Sequence, residues 1–167
     1  MNTVEYIRTM ARYNRWQNGN VYGVAAKLTD DVRRQDRGAF FGSIHSTLNH
    51  ILWADQQWMS RFAGTPRPTA QSIPESIGQH ADFAELERER VAFDAVISDW
   101  ANALDPGWVA GDLTWYSGAT KQDVSKPKGQ LVTHMFNHQA HHRGQVHCML
   151  TQCGVDPGAT DLAFMPE

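Results

Sequence analysis

Residues 130–154, QLVTHMFNHQAHHRGQVHCMLTQCG, run for 25 positions without a proline and close on a glycine. Advancing about 100° per residue from Leu131, the side chains of Met149, Met135, Cys153, Val146, Val132 and Leu150 all fall between about 0° and 100°. One broad apolar stripe at the helical period predicts a helix with one face on a core. Gly154, with Pro157 shortly after it, supplies the stop. A chain with such a helix must supply partners of similar length to cover the stripe.

The same stretch holds five of the chain's eight histidines, His134, His138, His141, His142 and His147. Histidine is a middling helix former and the commonest metal ligand among side chains. His142 falls at about 20°, inside the stripe, and His138 at about 340°, on its edge. His134 and His141, at about 300° and 280°, lie outside it, and His147, near 160°, faces solvent. The inward pair is therefore His138 and His142, four apart and stacked on one helix face. A buried imidazole needs a hydrogen-bond partner or a metal. Two stacked inward imidazoles point to a shared cation, the alternative being two core histidines satisfied by ordinary hydrogen bonds. Arg143, near 120°, is expected to point away from such a site.

Three further helices can be read. Thr3 caps the first, which runs to about Leu28, with Ile7, Met10, Ala11, Asn14, Val21 and Leu28 along one side. Residues 29–42 form a polar connection whose Arg33 and Arg34 read as solvated. Ser43 opens a second helix to about Ala63 with Ile44, Leu48, Ile51, Trp58, Met59 and Phe62 on one face. Asp55 shares that face; a lone buried carboxylate is costly, so it is expected to accept a bond from a histidine or tryptophan N–H or to sit at a wet edge. His45 reads as a surface residue.

A linker at 64–79 rich in Pro, Ser and Thr precedes a third helix over roughly 80–104, with Arg90 as the polar misfit on its inward side. Residues 105–129 break the helical pattern; LTWY, SGAT and KQDVSK suggest a small hairpin or extended loop whose Trp108, Trp115 and Tyr116 line a pocket mouth or shield the bundle end. The tail at 155–167 is expected to fold back through Leu162, Phe164 and Met165. The reading is all-α, one domain over 1–167, a bundle of four helices.

The net charge of −3 gives no basic footprint for nucleic acid. No apolar run approaches the length of a membrane span, and the opening MNTVEYIRTMARYN lacks the core of a leader peptide, which points to the cytoplasm. Cys148 and Cys153 lie about 140° apart on one helix, so both read as reduced structural thiols. Six tryptophans exceed what one small core needs and suggest an interface.

The run NHQAHHRGQVH at 137–147 resembles the signature of the DinB/YfiT-like family, named after a DNA-damage-inducible protein. YNRWQN at 13–18, LNHILWAD at 48–55 and GVDPGATDL at 154–162 extend the resemblance over nearly the whole chain. It implies an up-up-down-down four-helix bundle, often a homodimer, with a metal held by a histidine of the second helix and an HxxxH of the fourth. Those positions fall on His50, His138 and His142. Periodicity alone would not choose His50, which lies about 120° from Ile44 on its helix; only the resemblance nominates it.

Three neutral imidazoles would make an open site for a divalent ion able to activate water or a thiol. Zinc fits such ligation, as do nickel, iron and copper. Occupancy is expected to fall below about pH 6, where imidazoles with pKa near 6.5 take up protons. Gln139 and Ala140 stand where an HExxH helix would carry its general base, leaving Asp55 as the one buried-face carboxylate available for a catalytic role. Family relatives include hydrolases and thiol-dependent transferases or isomerases. The first expectation is thus a metal-dependent enzyme acting on a small-molecule substrate, with or without a low-molecular-weight thiol. The others are a metal-binding stress-response bundle without turnover and a helical interaction module without metal.

Overall fold

The computed structural model describes residues 3–118 and 120–167; Met1, Asn2 and Ala119, which fall within the leader reading and the hairpin loop, lie outside the described residues. Four long helices dominate: α1 (Val4–Ala25), α3 (Ile44–Ala63), α5 (Phe83–Ala103) and α6 (Lys128–Gln152). Short helices α2 (Asp30–Arg34) and α4 (Ile73–Ser76) lie in the connections, and β1 (Asp112–Ser117) pairs antiparallel with β2 (Gln122–Pro127) before α6. The fold is mostly helical with one small two-stranded sheet, so all-α holds only approximately. No helix among the described residues is long and apolar enough to cross a membrane.

Local chemistry sets the boundaries. Thr3, Ser43 and Asp82 each accept a bond from the backbone N–H three residues on, at 3.2, 3.1 and 2.8 Å, which starts α1, α3 and α5. α1 stops three residues before Leu28 because Lys27 and Leu28 bond back to Val24 and Ala25, tightening the last turn before Thr29 caps α2. The Arg33–Arg34 pair is not simply solvated: Arg33 donates to the Ala25 carbonyl and Arg34 to Asp30. α6 ends at a left-handed Gly154, with Val155 N bonded to the Leu150 carbonyl and the two side chains in one apolar cluster.

The core has two apolar ends separated by a polar layer. Ile7, Ala11, Met59, Phe62, Ile97, Val132 and Phe136 belong to one cluster; Val21, Ile44, Leu48, Leu86, Val146 and Leu150 belong to the other. Each long helix is polar where it passes between them, at Asn14 and Asn18, at Asp55, at Arg90 and Asp94, and at Gln139 and Arg143, all buried. Arg90 pairs with Asp55 at 2.6 Å and Asp94 at 2.8 Å. It is neither at a snorkelling edge nor in a pocket with the histidines.

This layering also fixes direction. α1 and α6 run from the first cluster to the second, and α3 and α5 run the other way. The order is up-down-down-up, not the expected up-up-down-down. The cause is the connection at 64–82, which returns alongside α3: the Ala70 carbonyl meets Trp53, Ser76 meets His50, and His80 meets Asn49 and His45. α5 therefore starts beside the beginning of α3. That return strand of chain also buries His45, whose Nε2 donates to the His80 carbonyl at 2.9 Å, correcting its surface reading.

Trp108 stacks edge-on against Phe62 and Trp100, and Trp115 against Trp58, so both shield one end of the helical core; Tyr116 is exposed. The tail does fold back, but through backbone carbonyls of Ala159, Thr160 and Pro166 that accept from Gln17, Tyr13 and Arg12. Leu162 and Phe164 remain exposed.

Candidate metal centre

His138 and His142 sit one turn apart on α6, and His50 comes to them from α3. One ring nitrogen from each lies within 4.8 Å of the others. Nε2 of His50 is 3.2 Å from Nε2 of His138. Two imidazoles bound to one ion at about 2.0–2.1 Å in tetrahedral geometry would hold their nitrogens roughly 3.3 Å apart. The three-histidine group could therefore hold a metal ion.

His50 is only 3% exposed although its own helix pattern places it off the core face. The returning connection and the loop before α3 cover that side. Phe41 lies 4.0 Å from the His50 ring and 5.3 Å from His142, centroid to centroid, and Trp53 lies 5.6 Å from His50. A left-handed Gly42 directly after Phe41 accepts a bond from Arg37 and donates one to Ala39, which folds this loop over the ring.

The outer nitrogens fix the inner ones. Ser76 gives its hydroxyl proton to the Ile73 carbonyl at 2.6 Å, so its oxygen must accept from Nδ1–H of His50 at 2.9 Å. That leaves the His50 Nε2 lone pair facing the group. Gln145 accepts from Nδ1–H of His142 at 2.9 Å through its amide oxygen, while its amide nitrogen donates to His141 at 3.4 Å. The His142 Nε2 lone pair is thereby free as well. Such outer partners orient ligating histidines and raise their basicity.

Burial keeps the rings neutral. It pushes His50 down to about 4, with the neighbouring His142 adding to the shift. It pushes His138 down to about 3, helped by His142 and His50. His142 is lowered by burial too, partly offset by its bond to Gln145. All three are in the form a metal requires at neutral pH.

The other expected residues sort as follows. His134 and His141 are exposed, His134 against Trp58 with ring centroids 5.2 Å apart. Asp55 is 1% exposed and accepts from Arg90, not from a histidine or tryptophan N–H. Burial raises its pKa and Arg90 opposes the rise. Arg143 does leave the metal group, yet it turns into the core toward Asn14 and Asn18. Both cysteines are free. Sequence reasoning missed Ser76, Phe41 and Gln145. Only Gln145 had a signal, its i, i+3 spacing from His142.

With this geometry in place, comparison with known proteins is decisive. The sequence profile of the DinB family matches residues 1–167. This chain belongs to the DinB family. It is similar to Protein DinB of Bacillus subtilis (strain 168), 23% identical over 152 residues that cover 91% of this chain and 88% of that relative. DinB membership also makes sense of two separated sequence runs. YNRWQN supplies Asn14 and Asn18, HHRGQ supplies Arg143, and these side chains meet in the polar layer between α1 and α6.

Proposed function

We propose that this chain is a metal-dependent enzyme whose His50, His138 and His142 hold one divalent ion, acting as a hydrolase or a thiol-dependent transferase or isomerase on a small-molecule substrate. The observation that supports it is the pair of fixed tautomers: Ser76 and Gln145 occupy the outer nitrogens of His50 and His142, so two Nε2 lone pairs converge on His138. Convergent lone pairs call for a cation. A divalent ion held there, zinc first and nickel, iron or copper as alternatives, would supply Lewis-acid activation of water or a low-molecular-weight thiol.

Phe41 and Trp53 exclude water from one side of His50, which strengthens electrostatic interactions at the group. Asp55 enters as a positioning residue: through Arg90 it ties α3 to α5 one turn beyond His50. The four long helices form the family's bundle as a single domain, in up-down-down-up order, working in the cytoplasm as a homodimer.

Protein purified without added metal is expected to carry about one ion per chain by elemental analysis. It should turn over esters, or electrophiles in the presence of thiols, with activity lost on chelation and restored by metal. A loaded chain that turns over neither class would favour a metal-binding stress-response bundle. A chain without metal would mean that the His50–His138 contact is an ordinary N–H···N bond.

A further inference from the structure

Arg143 follows a proposed ligand in sequence but belongs to a different interface, between α6 and α1. It is 5% exposed. Its guanidinium donates to the side-chain oxygens of Asn14 and Asn18, both neutral acceptors. The two carboxylates of the polar layer are taken by Arg90, at 2.6 and 2.8 Å. Arg143 therefore carries a buried charge with no carboxylate among the described residues in direct contact; Asp55 and Asp94 reach it only at longer range, Asp94 by way of Asn18, where buried charges are ordinarily paired directly. Only two of its five N–H groups are used by Asn14 and Asn18.

Beside it lies a cavity of about 290 Å³ between α1, α6 and the tail, lined by Tyr13, Gln17, Ala140, Arg143, Gly144 and His147. Its roof is fixed, because Tyr13 gives its proton to the Thr160 carbonyl at 2.6 Å and Gln17 donates to Ala159 at 3.0 Å. Gly144 stands in the middle of α6, where glycine costs about 1 kcal/mol relative to alanine. A Cβ there would meet nothing within 4 Å, so packing inside the chain does not demand glycine. Its effect is to keep the cavity open next to Arg143.

We propose that this cavity binds a small organic anion, a carboxylate or a phosphate monoester on a compact apolar body, with its charged end on Arg143. The guanidinium matches either oxyanion in bidentate geometry. The Tyr13 ring, Val21 and Ala140 supply an apolar wall. At roughly 30 Å³ per water-sized atom the space admits about ten non-hydrogen atoms. The site is separate from the histidine group and does not depend on a metal.

The test is calorimetric titration of the full chain, metal-free and zinc-loaded, with benzoate, phenyl phosphate and the neutral benzamide. The expected result is millimolar or tighter binding of at least one anion, equal in both forms, with benzamide at least tenfold weaker. Whichever anion binds tighter names the ligand class. Gly144→Met fills the cavity while raising helix propensity, so it should stay folded by circular dichroism, melt no lower than wild type, and bind the anion at least tenfold more weakly. Arg143→Gln should lose the preference for anion over benzamide. No binding of either anion, binding confined to the zinc-loaded chain, equal binding of benzamide, or unchanged affinity in Gly144→Met would each overturn the proposal.

Discussion

Ser76 faces His50 with a hydroxyl whose single proton is already committed to the Ile73 carbonyl. The serine is therefore an obligate acceptor, and the imidazole has one tautomer available to it. Ser76→Ala removes that acceptor and leaves a buried Nδ1–H unpaired. We expect metal affinity to drop roughly 10- to 100-fold with the helical circular dichroism signal kept. Competition against a chelator of known affinity measures it; an unchanged affinity would show that Ser76 does not set the ligand.

His138→Ala and His142→Ala should each lose the ion, and His50→Ala should join them. His134→Ala and His141→Ala should stay loaded, since both side chains are exposed and outside the group. Elemental analysis of the five folded variants decides. Loss in His134→Ala with retention in His142→Ala would move the pair one turn along α6, and retention in His50→Ala would place the third ligand elsewhere.

The pH response has a definite sign. His50 and His138 have folded-state pKa values of about 4 and 3, below the unfolded value of about 6.5. As pH falls below 6.5 the unfolded chain takes up protons that the folded chain refuses, so stability present above that pH is lost on the way down to about 4 for His50 and about 3 for His138. Metal-free protein should show a falling melting temperature from pH 7 to 4.5, with a shallower fall in His138→Ala. Loaded protein should keep its ion at pH 5.5, lower than the pH 6 limit that unperturbed imidazoles would give. Equal slopes for wild type and His138→Ala by scanning calorimetry would contradict this.

Arg90 holds two buried carboxylates at once. Arg90→Met leaves both uncompensated, and the expected loss is about 3–5 kcal/mol in urea unfolding. A loss under 1 kcal/mol would mean that the polar layer is hydrated and does not bind the helices together.

Much of this was legible in the chain. The α6 stripe, its glycine stop and the inward His138–His142 pair follow from a period of 3.6 residues, because α6 meets its neighbours along its whole length. His50 and His45 were not legible from periodicity. Both lie off the apolar stripe of α3 and owe part of their burial to the connection at 64–82, and a segment without period leaves no trace in a helical wheel. The expected up-up-down-down order rested on the resemblance, and no pattern in the residues could have checked it. Composition could show that the connection was long, but not that it travels back along α3.

A dimer remains the expected assembly, through α1 and α3. Light scattering at micromolar concentration should give about twice 18.8 kDa; a stable mass near that single-chain value would exclude it.

The tail's hydrogen bonds to Arg12, Tyr13 and Gln17 of α1 are accepted by main-chain oxygens, those of Pro166, Thr160 and Ala159. A carbonyl is the same in every residue, so this clasp reads the path of the backbone and ignores the letters written along it. What it demands is spacing and two glycines able to turn the other way, Gly154 and Gly158. Drift in the exposed side chains of residues 159–164 should be silent, whereas between the two glycines Val155 packs on the core and Pro157 is buried, and removing one residue from that interval would unbutton all three contacts together.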